Sequence, residues 1–358
     1  MTDDSPTSQY RPSVTELKSA LQVSPPFQKA SVIKIESLAG DASARQYFRI
    51  HLKGAPVASV IFAKLAKPLD PFSPPPAQQR ITDTSGAAYN FLRQYNVPLP
   101  TIFADLTPAG FLLLEDVGDT SLRSLALLEN KNLERLKFQL NTAIDELVNL
   151  QSIPRGEGFP FNRSLNYEIY RAQIGRIQSY LLEPAGLNKK ESQELERVFA
   201  AISESIAGHP KVLSLYDYVA HNLHICDDDR FIMIDYQDIC LESYARDISS
   251  LLQDRDFGDL VGDEIIKQGY QRFLEKSGVG DQFSQHYLEY RFHWNCRVSG
   301  QFRKLVDLDQ KPLYEQWIAG SLRRLGESSV ELVGVIPGMD DFIEIVSKYL
   351  PEYADGIG

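Results

Sequence analysis

The chain has 358 residues and a formal net charge of −11, with 48 acidic against 37 basic side chains. Its hydrophobic content of 43% excludes wholesale disorder, and its acidic balance argues against a nucleic acid or an anionic membrane as a partner. The length predicts two lobes. The chain start lacks the features of a signal peptide and no apolar run reaches spanning length, so we expect a cytoplasmic protein.

The first third of the chain predicts short strands. Ser13 and Glu16 form a capping-box pattern that opens a helix. Five prolines between residues 67 and 76 predict a loop, because proline can neither donate to a sheet nor continue a helix. The predicted strands cover 32–35, 47–52, 60–63 and 111–114, and a helix is predicted over 85–94.

From residue 118 onward the apolar residues follow helical spacing. The predicted helices cover 133–150, 167–183, 189–207, 241–255, 262–276, 283–306, 311–325 and 340–350. One β-prone island interrupts them at 223–235. The pattern predicts a β-rich lobe over 1–116 and a helical lobe over 117–358.

The β island predicts a hairpin with polar residues at its base. Strands over 223–226 and 231–234 flank a four-residue turn, and symmetric pairing places Asn222 opposite Asp235. Directly opposed residues have Cβ atoms ~5 Å apart. An amide carbonyl and a carboxylate at that separation suit Mg²⁺, which takes one or two protein oxygens together with phosphate and water.

Asp217 precedes Asn222 by five positions, and this spacing is typical of phosphoryl transfer. In kinases a catalytic-loop Asp accepts the proton of the substrate hydroxyl, while an Asn and a later Asp hold the metal ions. The alternative is a surface hairpin whose polar residues only cap turns. The hairpin together with the β-rich first lobe favours the kinase interpretation.

Several segments of the chain resemble the aminoglycoside phosphotransferase superfamily. Within it, the sequence most resembles the bacterial cell-wall-recycling kinases that phosphorylate N-acetylmuramate and N-acetylglucosamine at the anomeric position. The resemblance implies an α+β, protein-kinase-like two-lobed fold that uses ATP and Mg²⁺. The matching stretches are 217–223, 234–238, 246–254, 40–43 with 47–49, 110–120, and 311–312.

The resemblance also implies roles for individual residues. Asp217 falls on the catalytic Asp, and Asn222 and Asp235 fall on the metal ligands. Lys64, with Lys67 as the alternative, is the candidate for the strand lysine that pairs with phosphates. The phosphate-covering loop corresponds to Gly40, Asp41, Ala42 and Ser43, and the hinge whose main chain meets adenine corresponds to Glu115, Asp116 and Val117.

The sequence departs from the family pattern at two positions. Leu215 stands where the family usually has a loop histidine, and Asp83 stands near the place of a helix glutamate. Asp247 is expected to cap a helix or brace a loop. From the resemblance we expect transfer of the ATP γ-phosphoryl group to the anomeric hydroxyl of an amino sugar. The alternatives are an aminoglycoside- or choline-type kinase, whose cleft should be rich in carboxylates, and a catalytically impaired nucleotide-binding module.

Overall fold

A computed structural model describes residues 10–38, 45–66, 71–72, 83–128 and 132–357. The candidate phosphate loop Gly40–Ser43, and Lys67, lie outside the described residues. Among the described helices, none is long and apolar enough to cross a membrane.

The N-terminal part is built on an antiparallel five-stranded sheet, in which the strands follow chain order except that the fifth lies between the third and the fourth. The capping box at Ser13 and Glu16 is present and opens the helix before the sheet, as predicted. The fourth strand, Ile102–Leu106, was not predicted, because only one of its five residues is buried and it therefore shows no clear alternation. The elements are α1 (Val14–Gln22), β1 (Ser31–Leu38), β2 (Gln46–Lys53), β3 (Ser59–Lys64), α2 (Ser85–Leu92), β4 (Ile102–Leu106) and β5 (Phe111–Glu115).

Alternation along the strands places the core of this part on one face of the sheet. Phe48 and Ile50 of β2 and Phe62 of β3 are buried against Leu17 and Leu21 of α1 in one hydrophobic cluster. Side chains two residues apart on a strand share a face, so one helix covers the row.

Helices dominate the C-terminal part. They are α3 (Leu122–Leu127), α4 (Leu133–Gln151), α5 (Tyr167–Ile174), α6 (Lys189–Gly208), α7 (Arg246–Gln253), α8 (Phe257–Val261), α9 (Asp263–Ser277), α10 (Phe283–Asp307), α11 (Ile318–Glu331), α12 (Met339–Tyr349) and α13 (Pro351–Ala354). Two short ladders interrupt them, formed by β6 (Lys211–Ser214) with β9 (Cys240–Ser243) and by β7 (Leu223–Ile225) with β8 (Phe231–Met233).

Helix α2 packs on the helical part rather than on the face of the sheet that α1 covers. Its Ala88 and Leu92, with Val97 and Leu99 after it, belong to the large hydrophobic cluster of the C-terminal helices. The segment before α2 also contacts the chain after β8, because the Thr84 hydroxyl donates to the Gln237 carbonyl at 2.7 Å. The lobe boundary at residue 116 stays a prediction.

The helix predicted over 241–255 is wrong in its first turn. Residues Cys240–Ser243 form β9, which pairs with β6, and the helix begins only at Arg246. All four residues of β9 are buried, including the carboxylate of Glu242. A strand buried on both faces has no alternating pattern, so four residues of it cannot be told from a buried helix segment.

His293, at the centre of α10, makes the stability of the fold depend on pH. It is fully buried, its Nε2 lies 3.2 Å from the carbonyl oxygen of Tyr170, and its Nδ1 has no partner among the described residues. Burial lowers the pKa of His293 to about 3. Below pH ~6.5 the unfolded chain therefore binds a proton at this imidazole, whereas the folded chain binds it only below about pH 3.

We expect this residue to lower the free energy of unfolding by about 1.4 kcal/mol for each pH unit below ~6.5. The variant His293→Gln should lack that part of the slope between pH 6 and pH 4.5. Urea unfolding at a series of pH values gives the free energy of unfolding at each pH. The slope of that free energy against pH is then compared between the wild type and the variant. Equal slopes in the wild type and in the variant would contradict the assignment.

Candidate active site

Asp217 lies on a short loop between β6 and β7, with its side chain 36% exposed. The residue before it, Tyr216, has a φ of +74°, in the left-handed region that a tyrosine rarely adopts. The side-chain Nδ2 of Asn222 donates to the backbone carbonyl of Asp217 at 3.0 Å. This bond orients the Asn222 side chain and leaves its Oδ1 without a hydrogen bond from the described residues.

Helix α7 braces this loop at the positions where the family pattern is broken. Asp247 accepts from the Ser214 hydroxyl at 2.7 Å and from the Leu215 amide at 3.2 Å. Arg246, fully buried, donates from Nε and Nη2 to the Tyr216 carbonyl at 2.9 and 2.7 Å. The helix cap itself is Ala245, so Asp247 acts as a loop brace. The loop is thus held without a histidine at position 215.

The hairpin after the loop has a different register from the predicted one. Leu223 pairs with Met233, and the Asn222 carbonyl accepts from the Ile234 amide at 3.0 Å. The predicted pairing of Asn222 with Asp235 is therefore wrong by one residue. The cause is Asp229, whose φ of +61° lets a three-residue turn replace the expected four-residue one.

Asp235 follows the hairpin in a left-handed conformation, with a φ of +59°. Its Oδ1 accepts from the Gln237 amide at 2.7 Å. Burial, and then the negative charge of Asp217, raise the pKa of Asp235. Burial with the charges of Asp235 and Asp217 likewise raises the pKa of Asp238 to about 6. Three carboxylates therefore share one region, where a bound cation would lower the repulsion between them.

Arg45, a residue that the sequence analysis missed, forms an ion pair with Asp235, as Arg163 does with Asp238 at 3.4 Å. Arg45 is buried, donates to Asp83 at 2.8 Å and lies 3.6 Å from Asp235. Asp83 stands directly before α2, near the place where a helix glutamate was expected. The only signal in the sequence was an arginine closely following the run of small residues at 40–44, and its partners are 38 and 190 positions away.

Lys64 lies at the end of β3, on the side of α1. Its Nζ is 3.6 Å from Glu16 and 5.1 Å from the ring centroid of Tyr10. No described contact joins it to Asp217, Asn222 or Asp235, and its nucleotide role stays a prediction.

The candidate hinge connects the sheet with the hairpin. Glu115, the last residue of β5, accepts from the Thr101 amide at 3.0 Å and from Arg230 at 2.8 Å. Val117 is buried in a small cluster with Cys226 and Ile232. The end of β5 and the hairpin are thereby held against each other.

Two histidines near the loop have separate partners. His221 lies 2.9 Å from Asp254, whereas His224 faces the Gly118 carbonyl at 3.2 Å. They do not converge on a shared metal position.

The oxygen donors at this site suit magnesium, an ion that proteins seldom enclose in a cage made only of their own side chains. No group of three or more His, Cys, Asp and Glu side chains that could hold a metal occurs within the described ranges. The side-chain Oδ1 of Asn222 and the Asp235 carboxylate are hard oxygen donors, and Mg²⁺ characteristically takes one or two of these with substrate phosphates. These residues fit the ion.

Comparison with known proteins agrees with this fold. The model of APH, the phosphotransferase enzyme family, matches residues 34–286, which is more than half of the chain. A search of curated proteins gave no match.

Solved structures share the architecture at low sequence identity. A choline/ethanolamine kinase family protein from Mesorhizobium loti has 12% identity and a TM-score of 0.55, over 93% of this chain and 99% of that one. Choline kinase from Cryptosporidium parvum has 12% identity and a TM-score of 0.57, over 87% and 93%. The streptomycin–ATP–APH(2'')-IIa ternary complex has 12% identity and a TM-score of 0.52, over 93% and 100%.

These likenesses confirm the predicted kinase-like fold, with its β-sheet N-terminal part and helical remainder. The family match, which extends from β1 to α10, includes both the sheet and the Asp217 loop. The chain belongs to the phosphotransferase enzyme family and is a phosphotransferase with a hydroxyl acceptor.

Proposed function

We propose that this protein transfers the γ-phosphoryl group of ATP to the anomeric hydroxyl of an amino sugar. The observation that carries the phosphoryl-transfer step is the position of Asp217, a partly exposed carboxylate on a braced loop beside the oxygen donors Asn222 and Asp235. The amino sugar as acceptor rests on the resemblance of the sequence motifs. The nucleotide assignment is supported by a related fold solved with ATP.

Each residue has a defined task in this proposal. Asp217 orients the acceptor hydroxyl and takes its proton, so that the oxygen can attack the γ-phosphorus. Asn222 and Asp235 would hold Mg²⁺, which supplies charge neutralisation for the phosphates when bound. Gly40, Asp41, Ala42 and Ser43 cover the phosphates, and the main chain of Glu115–Val117 binds adenine.

Arg45 is placed to support the phosphate side of the site. It lies 3.6 Å from Asp235 and is anchored by Asp83, whereas Lys64 is directed toward Glu16. We assign to Arg45 the electrostatic support of the nucleotide phosphates. Residues 1–116 then form the nucleotide-binding lobe, and residues 117–358 supply the base and the acceptor site.

Two structural features argue against the alternatives. An aminoglycoside or choline acceptor is cationic and predicts carboxylates around it, yet the group that approaches Asp217 from α10 is Arg297, at 3.8 Å. A catalytically impaired module predicts a poorly ordered loop after loss of its histidine, yet Arg246 and Asp247 brace the loop.

The metal assignment is tested with Asp235→Asn. We expect the wild type to gain thermal stability from ATP with Mg²⁺ and less from ATP with EDTA. The variant should lose most of this Mg²⁺ dependence, with an apparent affinity for Mg²⁺–ATP at least ~10-fold weaker, since even outer-shell partners of a metal contribute about 10–100-fold. Thermal-shift titration measures the change.

The control variant is Asp307→Asn, an exposed carboxylate at the end of α10. It should titrate like the wild type. An ADP-release screen over amino sugars, aminoglycosides and choline accompanies the titration. Binding of Mg²⁺–ATP without ADP release on any amino sugar would overturn the proposed acceptor.

A further inference from the structure

Gln237 is a buried glutamine that stands between two of the carboxylates near the Asp217 loop. Its side-chain Nε2 donates to Oδ1 of Asp235 at 2.7 Å and to Oδ2 of Asp238 at 3.4 Å. The residue is only 8% exposed. An amide NH₂ group has two donors and no net charge, so it serves both acids where a further carboxylate would repel them.

The contact with Gln237 fixes Asp235 by one of its two oxygens. Oδ1 receives the Gln237 hydrogen bond and also lies 3.6 Å from Nη1 of Arg45, beyond hydrogen-bond length. Gln237 therefore provides the short, directional contact of this carboxylate. Oδ2 accepts no hydrogen bond from the residues that the structure describes, so it is the oxygen that remains available to a cation.

The conformation of Asp235 depends on such a contact. Its φ of +59° is left-handed, and a non-glycine residue keeps this strained conformation only where its surroundings hold it. The negative charge of Asp217 acts on the same side chain and favours its turning away. Without the Gln237 donor, the carboxylate would therefore no longer have a single orientation.

Gln237 is itself held from both parts of the molecule. Its carbonyl oxygen accepts from the Thr84 hydroxyl at 2.7 Å and from Nη1 of Arg163 at 2.9 Å. Thr84 directly precedes α2, and Arg163 lies between α4 and α5. The ring of Phe72 lies against the guanidinium of Arg163, with its centroid at 4.2 Å. The position of the amide thus depends on both the N-terminal part and the helical part.

We propose that Gln237 is a positioning residue, which fixes the orientation of the Asp235 carboxylate that would hold Mg²⁺. This assignment rests on the proposed function, in which Asp235 is a metal ligand. Residues that hydrogen-bond a metal ligand without touching the metal contribute about 10–100-fold to metal affinity. Arg163 and Thr84 act one step further out, because they hold the backbone of Gln237.

The test replaces Gln237 by methionine, which has nearly the same length but no hydrogen-bond donor. Binding is measured by isothermal titration with a non-hydrolysable ATP analogue, once with Mg²⁺ and once with EDTA. We expect the Kd with Mg²⁺ to rise about tenfold or more, and the Kd with EDTA to change less than about twofold. A merely structural role of Gln237 would weaken both to the same extent.

The control is Gln178→Met. Gln178 is also a buried glutamine, 9% exposed, and its Nε2 donates to a carboxylate, that of Glu183, at 3.0 Å. It has no described contact with Asp217, Asn222 or Asp235, so this variant should bind the nucleotide like the wild type with Mg²⁺ and with EDTA. Urea unfolding shows that each variant is folded.

Arg163→Met tests the same role without removing the amide. It takes away one support of the Gln237 carbonyl, so the Kd with Mg²⁺ should rise less than in Gln237→Met, while the Kd with EDTA stays unchanged. If Gln237→Met does not fold, this variant decides the assignment.

An unchanged Kd with Mg²⁺ in both variants, or an equal loss of binding with EDTA, would overturn the positioning role. Failure of the proposed function has a different signature, because Asp235→Asn would then keep the full Mg²⁺ dependence of binding. If Asp235→Asn loses that dependence while Gln237→Met keeps it, Asp235 remains a metal ligand and only the role of Gln237 is wrong.

Discussion

Replacing Asp217 by asparagine is expected to lower kcat for phosphoryl transfer by about 10²–10⁴-fold, the usual contribution of a positioned base. The amide has nearly the same shape but cannot take a proton. The side chain of Asp217 is partly exposed, and its one described ion pair is the long contact with Arg297. We therefore expect the fold and the affinity for Mg²⁺–ATP to change little.

The measurement is acceptor-dependent ADP release, with a thermal-shift titration of Mg²⁺–ATP on the same preparation. Asp227→Asn, an exposed residue of the hairpin turn, is the matched control and should behave like the wild type. If Asp217→Asn turned over at the wild-type rate, Asp217 would have no part in the chemical step. Loss of nucleotide binding together with turnover would make its role structural.

The second large effect is expected at Arg246, which positions Asp217, the proposed base, through the backbone. Its two hydrogen bonds to the Tyr216 carbonyl hold Tyr216 in the left-handed region, where backbone strain amounts to about 1–3 kcal/mol. The same guanidinium donates to Tyr290 at 2.6 Å and faces the buried carboxylate of Glu242. Arg246→Met removes one of the two cations that face that carboxylate, the other being Lys211 at 3.7 Å, and frees the loop.

We expect Arg246→Met to lower the free energy of unfolding by about 3–5 kcal/mol, as for other broken buried pairs. The variant Arg246→Lys keeps the charge but not the two parallel N–H groups, so its kcat should fall while its stability loss is smaller. Urea unfolding and ADP release separate the two effects.

A surface pair provides the comparison for Arg246. Arg272→Met removes the partly exposed ion pair between α9 and Asp145 and should cost at most about 1 kcal/mol. If Arg246→Lys retained the full kcat, Arg246 would be a structural residue without a positioning role.

Features that depend on near neighbours in the chain were predictable. The capping box at Ser13 depends on four consecutive residues, and the alternating strands of the sheet depend on period-two burial. The helix predicted over 133–150 is present as α4, because its apolar stripe repeats over five turns.

The register of the hairpin was not predictable from local sequence patterns. Its two strands were predictable from composition, but their register depended on the backbone of one residue, Asp229. Aspartate adopts both ordinary and left-handed conformations in turns, so the sequence allowed a three- or a four-residue turn. The choice moved the partner of Asn222 by one position.

The amino-acid sequence by itself determined most of the strands and helices, though not β4 or β9, and the spacing of Asp217, Asn222 and Asp235, since these depend on local patterns. Only the tertiary structure decided which distant side chains meet. Arg45 and Asp235 are 190 positions apart, and Arg246 and the Tyr216 carbonyl are 30 positions apart. Such contacts follow from how whole helices and strands pack, and a one-dimensional pattern of polarity does not encode which charge faces which.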